Sequence, residues 1–145
     1  VNTKITKKTQ YAVAAMLELA KLGESVPISA ISDSQGIEQN YMGTILLELK
    51  KSNLVLSIRG VKGGYKLARP IESISVSQIM EAVGETVKVT RCRDEAEGCT
   101  GSKDRCAAHK MWRGLELKIA SYLSSITLKD MLESSEVLNF AIKSI

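Results

Sequence analysis

The apolar residues of this chain change period once, near residue 54, and that change restricts the fold more than any other feature of its 145 residues. Upstream the spacing is helical. Thr6 can cap a helix running to about Leu22, with Tyr11, Ala15, Leu19 and Leu22 on one face and Gly23 at its end. Ile28–Gln35 reads as a short second helix ended by Gly36. Residues 38–52 read as a third, whose Met42, Ile45, Leu46 and Leu49 fall at i, i+3, i+4 and i+7 and form one buried stripe. Asn53 suits a left-handed stop. Downstream the period is two: Leu54, Leu56 and Ile58 alternate with Val55, Ser57 and Arg59, the pattern of a strand. Arg59-Gly60-Val61-Lys62-Gly63-Gly64 forms a turn, residues 65–68 the returning strand, and Pro70 closes the hairpin.

Three short helices and a hairpin, with only Gly36-Ile37 linking the second helix to the third, are the order of a winged helix-turn-helix. The expected fold class is mainly α with a small β-hairpin: a winged helix-turn-helix DNA-binding domain over residues 1–84, joined to a long dimerisation helix. A fourth helix starts at Ser75 or Ser77 and reaches about Ala82. Residues 85–105 show no helical stripe. A long helix then runs from about Arg105 to Ser125, and Ala108, Trp112, Leu115, Ile119, Tyr122 and Ile126 make an a/d seam along it, too apolar to stay in water and suited to an isologous homodimer. Thr127 caps a last short helix, Leu128–Leu132, with one further turn over residues 137–142, so that 106–145 form the dimerisation helix and its C-terminal short helices.

Net charge is +4, with Lys4, Lys7 and Lys8 at the start and Lys50, Lys51, Arg59, Lys62 and Lys66 around the hairpin, which points to a polyanionic partner. Aromatic residues are only 4%, which disfavours a stacking platform for single strands and leaves double-stranded DNA. On the third helix the N-terminal Gln39, Asn40 and Tyr41, with Thr44 one turn on, are placed to reach base edges, Asn and Gln being able to pair bidentately with adenine; the alternative is a solvated face. At the hairpin tip Arg59, Gly60, Lys62 and Gly63 combine a tight turn with cations for a phosphate or the minor groove. A nucleotide phosphate could use such a turn, but this one links two strands and lacks the P-loop order. No apolar run approaches the roughly 18 residues of a membrane span and the start lacks an apolar signal region, so the expected location is cytoplasmic.

The three cysteines, Cys92, Cys99 and Cys106, lie within one stretch that also holds the chain's only histidine, His109. An odd, clustered set argues against a disulfide framework and for a metal or redox role. Cys106 and His109 stand at i, i+3 at a helix start, and Arg91, Arg93, Lys103 and Arg105 would offset the charge of thiolates and a cluster. The donor set suits an iron–sulfur cluster; three Cys and one His also suit tetrahedral zinc, and a thiol switch without metal remains open. A small electron carrier could use the same cysteines, but it would have no use for a basic wing. With one His, no C-x-x-C and no placeable carboxylate pair, an enzyme is not expected.

Together these residues resemble the IscR-type regulators of the Rrf family of bacterial winged-helix repressors. The matching pieces are Thr6-Lys7, Tyr11-Ala12 and Met16-Leu17; Tyr41; the run from Ser57 to Leu67; Thr90-Arg91-Cys92, Gly98-Cys99 and the segment from Cys106 to Trp112; and Ile126-Thr127-Leu128. The resemblance implies a homodimer formed through the long helix and a [2Fe–2S] cluster on Cys92, Cys99, Cys106 and His109. It also implies control of iron–sulfur assembly genes according to cluster supply, with the assembly machinery as the cluster's source. Arg59 matches the family's wing arginine and Tyr41 a recognition-helix contact. The chain departs from the family pattern at Asn40, where serine is usual, at Gly43, where an acid is usual, and in slightly longer cysteine intervals, which leave [4Fe–4S] as an alternative.

Overall fold

A computed structural model describes residues 5–89 and 107–133. Cys92, Cys99, Cys106 and the turn read at 137–142 lie outside the described residues. Helix α1 (Lys7–Leu22) starts at Thr6, whose hydroxyl accepts from the Thr9 N–H at 3.3 Å, and ends at a left-handed Gly23. Helix α2 (Ile28–Gln35) ends at Gly36, and α3 (Gln39–Lys51) is followed by Asn53 at φ 58°, the left-handed stop its side chain tolerates. The α3 stripe Met42, Ile45, Leu46 and Leu49 is fully buried against Ala12, Ala15, Met16 and Leu19 of α1 and Ile31 of α2. These small and branched side chains interlock around one centre, which is why the helical spacing was enough to place them.

Strands β1 (Val55–Ile58) and β2 (Gly64–Leu67) pair antiparallel, with Val55 opposite Leu67 and Ile58 opposite Gly64. The alternation does not mark the buried face here. Leu54 and Val55 are both buried, whereas Leu56 and Ile58 are exposed. Only one side of the ribbon meets the body, and Ser57 faces α3, where the Lys50 ammonium donates to its hydroxyl at 2.7 Å. The apolar side of β1 therefore looks outward, against the usual rule. A short third partner, which local pattern did not signal, comes from Val26: its N–H donates to Tyr65 O, and the Tyr65 N–H returns to Val26 O, both at 2.8 Å.

A 3-10 turn, Ile71–Ser73, precedes α4 (Val76–Ala82), which opens on Ser75 in a reciprocal capping box with Gln78. Helix α5 is His109–Ser125, beginning later than Arg105 because residues 107 and 108 form a turn. Helix α6 (Leu128–Leu132) is capped by Thr127 and Asp130. The Val76 N–H donates to Ile126 O at 2.9 Å and the Leu128 N–H to Ile74 O at 3.0 Å. Leu128 lies in the same core as α1, and Ile126 is buried inside its own chain, so Ile126 is not part of an exposed seam and α6 packs with the winged helix rather than apart from it.

Glu85, just after α4, ties back to the start of α1. Its carboxylate accepts from the Thr6 N–H at 3.0 Å, from the Thr6 hydroxyl at 3.1 Å and from the Thr9 hydroxyl. Burial opposes its ionisation, but the hydrogen bonds from Thr9 and Thr6 outweigh it and hold the carboxyl below its ordinary range. A depressed folded pKa contributes stability that is present above the unfolded value near ~4.3 and fades as pH falls through the folded one. Glu85→Gln is expected to destabilise the fold by less than about 1 kcal/mol at neutral pH, the group being partly solvated. Denaturant melts should show that gap closing below about pH 4.

Candidate nucleic-acid interface

Helix α3 presents Gln39, Asn40, Tyr41 and Thr44 to solvent opposite its buried stripe. The Asn40 amide donates to the Glu38 carboxylate at 3.2 Å and the Thr44 hydroxyl donates to Asn40 O at 3.2 Å, which prepositions both side chains on the helix surface. Tyr41 is held by α1: its ring meets Tyr11 edge-on, centroids 6.2 Å apart and planes at 87°. Tyr41 is nevertheless 40% exposed, so the side of the ring away from Tyr11 is open to solvent. Gly43 serves packing. A Cβ there would stand 3.3 Å from Ile28 Cδ1, so the missing side chain lets α2 cross close to α3. Glu48 is paired with Lys8 at 2.7 Å, which cancels an anion that would oppose DNA.

The hairpin tip is built as a rigid cationic projection. The Gly63 N–H donates to Gly60 O at 2.9 Å, and the Ser25 hydroxyl donates to Lys62 O at 2.7 Å, bracing the tip against the α1–α2 loop. A Cβ on Gly63 would lie 2.4 Å from Ile58 O. Arg59 and Lys62 are exposed and neither forms an ion pair among the described residues. Lys50 stands at the same edge of α3, joined to Ser57, and Ser25 acts on the tip from the other side. Both roles escape sequence reasoning, because neither residue lies in the hairpin.

Residues 5–134 match the profile of the Rrf2 iron-dependent transcriptional regulators. The chain belongs to the Rrf2 family. Among Rrf2 proteins it is 42% identical over 140 residues to the HTH-type transcriptional regulator IscR of Xenorhabdus nematophila, covering 95% of this chain and 84% of that one. The IscR of Escherichia coli is 40% identical over 138 residues, 94% of this chain and 84% of that one. The structure of T. potens IscR superposes with a TM-score of 0.73 at 30% identity, over 92% of this chain and 88% of that one. CymR of B. subtilis shares the fold, with a TM-score of 0.78 at 23% identity over 90% and 97% of the two chains. This Rrf2 protein is therefore a DNA-binding transcriptional regulator of the IscR type, with relatives that regulate genes and are not enzymes. Among its described residues no helix is long and apolar enough to cross a membrane.

Of the cluster candidates, only His109 is described; it is half-buried at the first residue of α5. Among the described residues no group of three or more His, Cys, Asp or Glu side chains could hold a metal. The chain entering the cysteine segment is held on α5, the Val89 N–H donating to Glu116 Oε1 at 3.0 Å.

Proposed function

We propose that this regulator is a homodimeric repressor that reads its operator with α3 and the wing and senses cluster status through a [2Fe–2S] cluster on Cys92, Cys99, Cys106 and His109. The observation that carries the reading is a soft donor set of three thiols and one imidazole within a chain whose fold reads DNA. Reach is compatible with the ligand set. Glu116, which holds Val89, is seven residues from His109, about 10 Å of helix rise, and the three residues from Val89 to Cys92 can span about as much. When bound, such a cluster supplies a centre whose presence depends on iron and sulfide delivered by the assembly machinery. The residues present would fix its place beside α5, whose exposed Trp112, Leu115 and Tyr122 form the proposed dimer seam with Ala108 and Ile119. Gln39, Asn40, Tyr41 and Thr44 would meet base edges, and Arg59, Gly60, Lys62 and Gly63 the backbone or minor groove.

Anaerobic purification tests the cluster. The expected protein is brown, with two irons and two sulfides per chain; Cys92→Ala, Cys99→Ala and Cys106→Ala each bleach it, while His109→Cys keeps the colour with a shifted spectrum. The three bleached variants should still melt cooperatively, because the described core uses none of these residues. A colourless protein carrying zinc would overturn the assignment, and four irons per chain would replace it with [4Fe–4S].

Arg59→Ala tests the wing. Operator affinity measured at several salt concentrations should fall, and the slope of log K against log salt should drop by about one unit if Arg59 contacts a phosphate. Unchanged affinity at every salt concentration would remove the wing from the interface.

A further inference from the structure

The wing tip carries one residue whose chemistry does not match its surroundings. Val61 is 107% exposed, more than any other large apolar side chain among the described residues. It sits between Arg59 and Lys62, and residues 55–68 contain no Asp or Glu. One exposed valine is ordinary on a protein surface, but this one stands at the end of a braced cationic projection, where the flanking cations draw it to a polyanion and repel the basic surface of a second copy. The backbone beneath it is held by the Gly63 to Gly60 bond at 2.9 Å and the Ser25 to Lys62 bond at 2.7 Å. Valine is β-branched with a single stiff χ angle, so ordering it at a contact costs little entropy.

A polyanion with an apolar interior fits this combination. The minor groove of DNA has phosphates along its rims and sugar C–H groups on its walls. Its floor carries only acceptors at A·T and an added amine at G·C. A valine can pack closely on the floor at A·T, where nothing protrudes, but at G·C the guanine N2 amine projects into the groove, keeps the valine from seating and is itself cut off from water.

We infer that Val61 is a specificity residue that enters the minor groove between the phosphate contacts of Arg59 and Lys62 and selects A·T over G·C at one position in each half-site. The inference rests on the wing lying on DNA as proposed above. It differs from a charge contact in that it alters base preference and leaves the salt slope alone.

The test uses the full chain and a duplex that the protein itself selects from random-sequence DNA. Single A·T pairs along the selected site are replaced by inosine·C, which keeps the A·T minor-groove floor, or by diaminopurine·T, which adds the N2 amine while keeping the major-groove edge of A·T. At one position per half-site the wild type should tolerate inosine·C and lose about tenfold in affinity with diaminopurine·T. Val61→Ser should bind both duplexes within about twofold of each other with the salt slope unchanged, while Val61→Ala keeps part of the discrimination. Indifference of the wild type to the N2 amine at every position would overturn the inference, as would Val61→Ser retaining the full tenfold difference. If Arg59→Ala also leaves affinity unchanged, the wing is off the DNA and the broader reading fails; if Arg59→Ala weakens binding while Val61→Ser changes nothing, only the role of Val61 fails.

Discussion

Leu115→Lys is expected to convert the proposed dimer to a monomer and to abolish operator binding with it. Helix α5 has no buried residue within its own chain, yet Trp112, Leu115 and Tyr122 are 36%, 40% and 37% exposed and follow one another along a single face. Burying a leucine contributes about 1.5–3 kcal/mol, and two-fold symmetry counts each substitution twice. Removing both leucines and facing two ammonium groups across the seam should weaken dimerisation by at least about 3 kcal/mol, a factor on the order of a hundred. Two half-sites need two recognition helices held at a set spacing, so specific binding should disappear in the same titration. The monomer should keep its circular dichroism spectrum, since Leu115 takes no part in the core built by α1, α3 and α4. Sedimentation of the wild type as a monomer at micromolar concentration would refute the seam.

Gly64→Ala is expected to dislodge the wing. Gly64 has φ +154°, and a Cβ there would stand 2.2 Å from Val26 O and 2.7 Å from Pro27 N, both backbone atoms that cannot turn aside. The two hydrogen bonds between Val26 and Tyr65 would have to open. The expected cost is about 3 kcal/mol, or roughly 10 °C in melting temperature. DNA affinity should fall further than stability alone explains, because the same pairing aims the tip that carries Arg59 and Lys62. Gly23→Ala is the control. Its φ is +66° with no atom within 4 Å of the added Cβ, so it should cost only about 1 kcal/mol and leave DNA binding intact. Equal losses in the two variants would show that Gly64 serves only as a turn residue.

The helices were legible because their signals are local. Thr6, Gly23, Gly36, Asn53 and Thr127 each act within a few residues of their own position and stand at the helix end they were expected to mark, and of the two serines offered for α4 it is Ser75 that caps it. The α3 stripe was legible for the same reason, a 3.6-residue period needing no knowledge of the partner helix. The start of α5 was less so: it was read at about Arg105, but the chain turns at residues 107 and 108 and α5 begins at His109. The candidate DNA contacts of α3 follow directly from the stripe, since they are what remains on the other side. Tyr41 was read as a candidate contact, whereas its anchoring on Tyr11 joins residues thirty positions apart and has no local signature.

Sequence alone determined the order of elements, the buried face of α3 and the cationic wing, because each depends on residue type and short-range spacing. Tertiary structure decided which side of β1 faces the body, that Val26 and Ser25 brace the wing, that Gly43 admits α2, that Ile126 is buried within its own chain and that Leu128 belongs to the winged-helix core. Those outcomes depend on contacts between distant parts of the chain. Leu56 and Ile58 show the difference most plainly: alternation identifies a strand by its two faces, but only the body against which the strand packs determines which face is covered.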